Sequence, residues 1–404
     1  MTAIKPKYLC AAVALAHAGL VGADTIALEE RIVVLEEKME GYQKGNTQLD
    51  FGGFIKADTI YSKYSDGEHA TADVGEDFMV PSTIPVDPTG MADDGSGKFN
   101  MHAKQSRFWL KSSTMTSAGE IRGHIEIDFQ TTGQGDERIS NSYAPRIRHA
   151  YVAWEEWLFG QTWSTFFNVS ALPETLDFVG AAGTVFERQP QIRYTTGPLM
   201  LALENPSTTL YGGSTNEYDD NSVPDVVARY NLDGDWGNVS LAAMGRELKY
   251  QDTIGGVEQD ESEYGYGLSL AGRLMVGAMD DIRFQVNYGN ALGRYTTLNA
   301  FRAGQIQADG DIELIDQWSG VLALRHHWSD QWRSNFAVSV SEADNPADVA
   351  DTTNKTIQSA HANLIWQVAK PLSLGGELIY GDREIENGED GDLKRVQFTA
   401  KYAF

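Results

Sequence analysis

RVQFTAKYAF, Arg395 to Phe404, alternates without a break. Val396, Phe398, Ala400, Tyr402 and Phe404 fall on one side of an extended chain, and Arg395, Gln397, Thr399 and Lys401 on the other. The same period of two recurs upstream. Phe51, Gly53, Ile55, Ala57 and Tyr61 share a face opposite Asp50, Lys56 and Asp58. Ile121, Gly123, Ile125, Ile127 and Phe129 oppose Arg122, His124, Glu126, Asp128 and Gln130. Ile282, Phe284, Val286 and Tyr288, and then Phe336, Val338 and Val340, repeat the pattern. Strands of about ten residues with one apolar face suit either a half-wet sheet or a barrel in lipid.

The connections separate these two. Sixteen candidate strands begin near Gln48, His102, Gly119, Pro145, Trp157, Arg188, Leu199, Asp225, Gly237, Tyr264, Asp281, Ile312, Trp332, Lys355, Leu372 and Leu393. Seven short links alternate with eight long ones, from about Ser62–Met101 at the largest to Glu384–Asp392. A soluble sandwich has no reason to segregate loop length in this way; an outer-membrane barrel has short turns on one side and long loops on the other. Trp154, Trp157, Trp236, Trp328 and Trp332 cluster at the short turns, where an aromatic girdle meets the headgroups. Backbone groups cannot stay unpaired in hydrocarbon, so the strands must close. The expected fold is all-β: a sixteen-stranded antiparallel transmembrane β-barrel whose bore is too wide for its own side chains to fill.

Composition agrees. The 404 residues carry 57 Asp+Glu against 32 Lys+Arg, a formal charge of −25, which argues against nucleic-acid binding. One cysteine excludes a disulfide scaffold, and eight histidines leave little room for a multi-histidine metal enzyme. Lys5, Lys7 and the apolar run Leu9–Ala23 predict a signal peptide over residues 1–23, cleaved after Val21-Gly22-Ala23. Residues 24–46 then read as a short helical segment. Leu28, Ile32, Leu35, Met39 and Tyr42 are spaced as the seam of an oligomerising coiled coil on the periplasmic side. The barrel domain takes residues 47–404.

By parity, Lys56, Arg107, Arg193 and Arg229 point inward near mid-barrel, with Arg146 and Arg148 somewhat higher and Arg122 and Arg246 extending the track. Outward placement of the charged pair Arg146 and Arg148 would put guanidinium groups in lipid at about 2–4 kcal/mol each. The third long loop, Ser164 to Glu187, is the least polar of the eight. It carries Phe166, Phe167, Leu172, Phe178 and Phe186 beside Glu174 and Asp177. Such a loop is expected to fold inward as a constriction, Glu174 and Asp177 facing the arginines across the bore. Fixed positive groups at a narrow point favour anions, and two guanidinium forks at different heights suit a dicarboxylate. His149, on the apolar side of its strand, fits a subunit seam. No cofactor or metal site is expected: Asp93-Asp94-Gly95-Ser96 and Glu389-Asp390-Gly391-Asp392 lack the spacing of a calcium loop and read as solvated loops near lipopolysaccharide.

GGFIKADTIYS, AKQSRFWLKSS, PRIRHAYVAWEEWLFGQTWSTF and the terminal KYAF resemble the DcaP-like family of trimeric outer-membrane porins, over the whole chain after the signal peptide. The resemblance implies a homotrimer in the Gram-negative outer membrane passing small anions, dicarboxylic acids in particular. It also implies that Phe404 is read by the outer-membrane assembly machinery. The alternatives are an adhesive or structural barrel and a barrel hydrolase. The sequence has neither G-x-S-x-G nor H-E-x-x-H, so no enzyme is expected.

Overall fold

The computed structural model describes residues 42–70, 73–131 and 140–404. Each expected strand overlaps an observed one, and the sixteen form one antiparallel sheet. They are β1 (Thr47–Tyr64), β2 (Lys98–His102 continuing as Arg107–Thr116), β3 (Gly119–Asp128), β4 (Arg146–Trp154), β5 (Trp157–Trp163), β6 (Arg188–Thr196), β7 (Leu199–Glu204) and β8 (Asp225–Gly234). Then come β9 (Gly237–Ile254), β10 (Val257–Val276), β11 (Asp280–Gly289), β12 (Asp316–His327), β13 (Trp332–Asp344), β14 (Asn354–Ala369), β15 (Leu372–Ile385) and β16 (Asp390–Ala403). β1 pairs with β2 on one side and with β16 on the other, with Tyr61 opposite Val396. The sheet therefore closes and leaves no edge to bare its N–H and C=O groups.

All seven short turns fall where the sequence placed them. At that rim Trp154, Trp157, Trp236, Trp328 and Trp332 are exposed, and Trp332 stacks on Trp366 at 5.5 Å. The outer face carries Phe51, Ile55, Ile125, Leu241, Leu322, Leu378 and Phe398, each half exposed or more. Hydrocarbon is the solvent that such an exposed apolar face fits.

Three expectations change. The link between β9 and β10 is not a long loop but a Gly255-Gly256 turn on two long strands, the glycines sitting at φ +59° and +87°. Above the membrane both strand faces are polar, so the period of two fades although the hydrogen-bond ladder continues. Tyr42 is not the last helical position of the seam: it lies on a short strand, Tyr42–Lys44, that folds back on Thr47–Leu49 around Gly45 at φ +62°. The signal peptide, Leu28, Ile32, Leu35 and Met39 lie outside the described residues. Finally, His149 does not face outward. A register shift between Glu126 and Ile127 of β3 marks a bulge on β4, so that Arg148 and His149 both turn inward while Ile147 stays out. His149 is 3% exposed, bonds Thr162 Oγ1 at 2.9 Å and stacks on His124.

Segments of the long loops fill the interior, 65–97, 164–187 and 290–315 among them. Loop L3 (164–187) lays Phe166, Phe167, Val169 and Leu172 on an apolar stretch of inner wall made by Ala202, Val227, Ala242 and Met244. Loop L6 (290–315) adds Leu292 and Tyr295 to that cluster and Ala300, Phe301 and Ile315 to another. Loop L1 (65–97) supplies Met79 and Ile84 against Ile357, Ile379 and Leu393. Each such side chain gains about 1.5–3 kcal/mol by leaving water, which is why these segments turn inward.

Candidate solute passage

L3 runs as an excursion that starts and ends at β11. Leu172 O accepts from Arg283 Nη1 at 2.6 Å, and Val185 N donates to Gln285 Oε1 at 3.2 Å, two residues along the same face. Before it, Arg229 Nη1 donates to Phe167 O at 2.5 Å and to Thr165 O at 3.2 Å. Between them the chain crosses to the β13–β16 wall and β1. Lys56 Nζ and Gln397 Nε2 donate to Leu176 O at 2.6 and 2.9 Å, and the Leu176 N–H donates to Glu377. Asn363 holds Glu174 O at 2.8 Å. On the return, Ala182 N and Gly183 N meet the hydroxyls of Ser359 and Ser339.

Lys56 and Arg229 thus point inward as parity predicts, but they hold loop carbonyls. Lys56 also lies 3.1 Å from Asp58. The two loop acids likewise differ from expectation. Glu174 pairs with Arg333 at 2.7 Å and lies 3.9 Å from Arg325, both on the wall away from the expected arginines. Asp177 accepts from the backbone of Met79, Val179 and Gly180 at 2.9, 3.2 and 3.0 Å, joining L3 to L1. Its burial pushes the carboxyl up from its ordinary value.

The remaining arginines gather on the β2–β6 wall. Arg146 forks onto Asp128 at 2.7 and 3.2 Å. Arg148 bridges Glu126 at 2.7 Å and Asp128 at 2.9 Å, and Arg107 lies 3.4 Å from Glu126. Arg188 at the start of β6 stacks on Trp163 at 4.2 Å and Phe186 at 5.2 Å, with a buried Nη1 that has no hydrogen-bond partner among the described residues. Among the described residues, four guanidinium groups thus gather around two carboxylates, three of them in ion pairs, leaving two positive charges in excess. Opposite them stands the apolar side of the loops. Phe178 lies 5.4 Å from Arg146 and 5.6 Å from Arg148, and Phe78 of L1 packs edge-on against it at 5.1 Å. Arg193, 9% exposed, sits five residues further down β6, and Arg122 is half-buried nearer the short turns of β3; both face in, apart from this cluster.

Sequence parity missed Arg188, because a residue at a strand end loses its alternating face. It also passed over Arg283, Arg325, Arg333 and Glu377, which hold L3; their inward parity was legible but their partners were not.

A closed sixteen-stranded barrel with an apolar outside, a charged inside and inserted loops defines the porin class of outer-membrane fold. The chain belongs to the DcaP outer membrane protein family, whose family model matches residues 27–404. Among solved structures it is similar to the outer membrane channel DcaP of Acinetobacter baumannii, at 24% identity and TM-score 0.76, covering 91% of this chain and 100% of that one. It is similar also to an anion-selective porin from Comamonas acidovorans (11% identity, TM-score 0.52, 89% and 100% covered). A third match is the trimer form of OmpT from Vibrio cholerae (11%, TM-score 0.51, 89% and 99%). No curated protein matches the chain.

Proposed function

We propose that the protein is an outer-membrane channel for passive diffusion of small anions, dicarboxylates among them, past the cluster of Arg107, Arg146, Arg148 and Arg188. The observation that carries this is the excess charge of that cluster among the described residues: Arg107, Arg146 and Arg148 share Glu126 and Asp128, and Arg188 adds a fourth guanidinium group beside Trp163. An arriving carboxylate relieves their mutual repulsion. In a wet passage the attraction is about 1 kcal/mol per contact at 4 Å, enough to raise occupancy without trapping the solute. Catalysis has no place in this reading. In planar bilayers under a salt gradient the reversal potential is expected to take the sign of anion preference, and millimolar succinate to reduce chloride current more than acetate does. A cation-selective reversal potential overturns the proposal.

The mature chain is taken to assemble as a homotrimer in the Gram-negative outer membrane, with its N-terminal segment in the periplasm. Leu28, Ile32, Leu35 and Met39 supply the seam of a coiled coil that tightens the trimer. Deleting residues 24–41 is expected to lower the temperature at which trimers dissociate on semi-native gels by about 10 °C while the heat-modifiable barrel persists. An unchanged dissociation temperature would reduce the segment to a spacer.

A further inference from the structure

The root of L3 holds a knot of hydrogen-bond donors with nothing to donate to. Trp163, the last residue of β5, is 5% exposed, and its indole Nε1 is buried without a hydrogen-bond partner among the described residues. The ring packs edge-on against Phe167 at 5.1 Å and Phe186 at 4.8 Å. Two more such nitrogens border the same ring. The Arg188 guanidinium lies 4.2 Å over its face with Nη1 unpartnered, and the His149 imidazole lies edge-on at 6.0 Å with Nε2 unpartnered, again among the described residues. His149 Nδ1 is engaged by Thr162 Oγ1 at 2.9 Å, while Nε2 stops 3.8 Å short of Glu126, which Arg148 already holds. Buried polar groups are satisfied with few exceptions. Three exceptions at one indole mark a place made for an acceptor that the wall itself does not supply.

We infer that Trp163, His149 and Arg188 receive one carboxylate of a solute whose other carboxylate rests on Arg146. These three residues, and not the exposed arginines alone, then set a preference for dicarboxylates over monocarboxylates. The inference rests on the anion passage proposed above and assigns part of its specificity to two uncharged donors. With the Thr162 hydroxyl donating to Nδ1, His149 carries its proton on Nε2 and donates beside the indole N–H. Arg188 is the way in. Among the described residues it is held by ring stacking alone, so its guanidinium slides off the Trp163 face with a carboxylate attached and bares the indole N–H. Phe178 and Phe186 lie 5.6 Å apart, the first against Arg146 and the second against Arg188, and give the solute's carbon chain an apolar bed between its two charges. Neutral donors suit the task, because they bind a second carboxylate without adding to the repulsion among the guanidinium groups.

Planar-bilayer recordings of the full-length protein test this through W163F, which keeps an aromatic ring beside Phe167, Phe186 and Arg188 and removes the N–H. The succinate concentration that halves the chloride current is expected to rise about tenfold, the worth of one hydrogen bond to a charged group, and to approach that of acetate. The reversal potential reads charge, and none is removed, so anion preference is expected to shift far less than succinate block. An unchanged succinate-to-acetate ratio in W163F overturns the inference and leaves the anion passage standing. Loss of anion preference in step with succinate block reduces Trp163 to packing and overturns it too. A cation-selective wild type removes the passage and the inference together. If W163F does not fold, NMR of the wild-type protein in micelles decides. Of its nine tryptophan indole N–H signals, one is expected to move downfield with succinate and not with chloride of equal ionic strength. Indole signals that all ignore succinate overturn the inference.

Discussion

A barrel from which Pro173–Gly183 has been excised, with Leu172 joined to Thr184 through three glycines, is expected to show about a threefold rise in single-channel conductance. The graft is feasible because the excursion leaves and rejoins the wall at β11. Arg283 and Gln285, which hold its two ends, are separated by about 7 Å along one strand. Everything between crosses the bore to reach Lys56, Glu377, Gln397 and Arg333. The excision strands those partners, but Lys56 keeps Asp58 and Glu377 keeps His361, and water enters to solvate the rest. The barrel's own ladder is untouched, so its heat-modifiable mobility should persist. Phe166, Phe167 and Leu172 remain seated on the β7–β9 wall. Unchanged conductance would place the narrowest point elsewhere, at L1 or L6.

L3 was legible because its apolar residues had no other place to go. L1 and L6 were not. In L1 the run Phe78-Met79-Val80-Pro81 is surrounded by Asp66, Glu68, Asp73, Glu76 and Asp77, so the loop averages to a solvated one while its centre buries Phe78 and Met79. In L6, Leu298 packs beside Phe78 and Val80. It gets there through three consecutive residues, Thr297, Leu298 and Asn299, at φ +53°, +53° and +58°, a conformation with no glycine to announce it. The strands themselves were legible within the membrane, since lipid on one side enforces alternation, but not where β9 and β10 extend beyond it to the Gly255-Gly256 turn. Alternation says which face a side chain takes but not what it touches. That is why Lys56 and Arg229 were found on the right face yet serve the loop backbone. It also explains His149: one extra residue in β4 reverses the parity of the positions beyond it, and a bulge leaves no compositional mark.

The selectivity of the passage should rest on the arginines that are not tied to the loop. Neutralising Arg146 and Arg188 together, as R146Q/R188Q, removes the two excess charges of the cluster. It leaves Arg107 and Arg148 to balance Glu126 and Asp128. Arg146 is the most exposed of the cluster's ion-paired arginines, its side chain 25% accessible, and Arg188 has the buried Nη1 without a hydrogen-bond partner among the described residues, so neither change strands Glu126 or Asp128 without a cation. At about 1 kcal/mol per charge in a wet passage, two charges correspond to roughly a thirtyfold fall in the anion-to-cation permeability ratio. The reversal potential under a salt gradient should move toward zero by the matching amount. The control is R229Q, which removes one charge, half that of the double variant, from an arginine held by Thr165 O and Phe167 O. It should disturb conductance more than selectivity, because it loosens the loop without taking charge from the cluster. If R229Q shifts the reversal potential by half as much as the double variant or more, the barrel's overall charge and not the local cluster sets the preference.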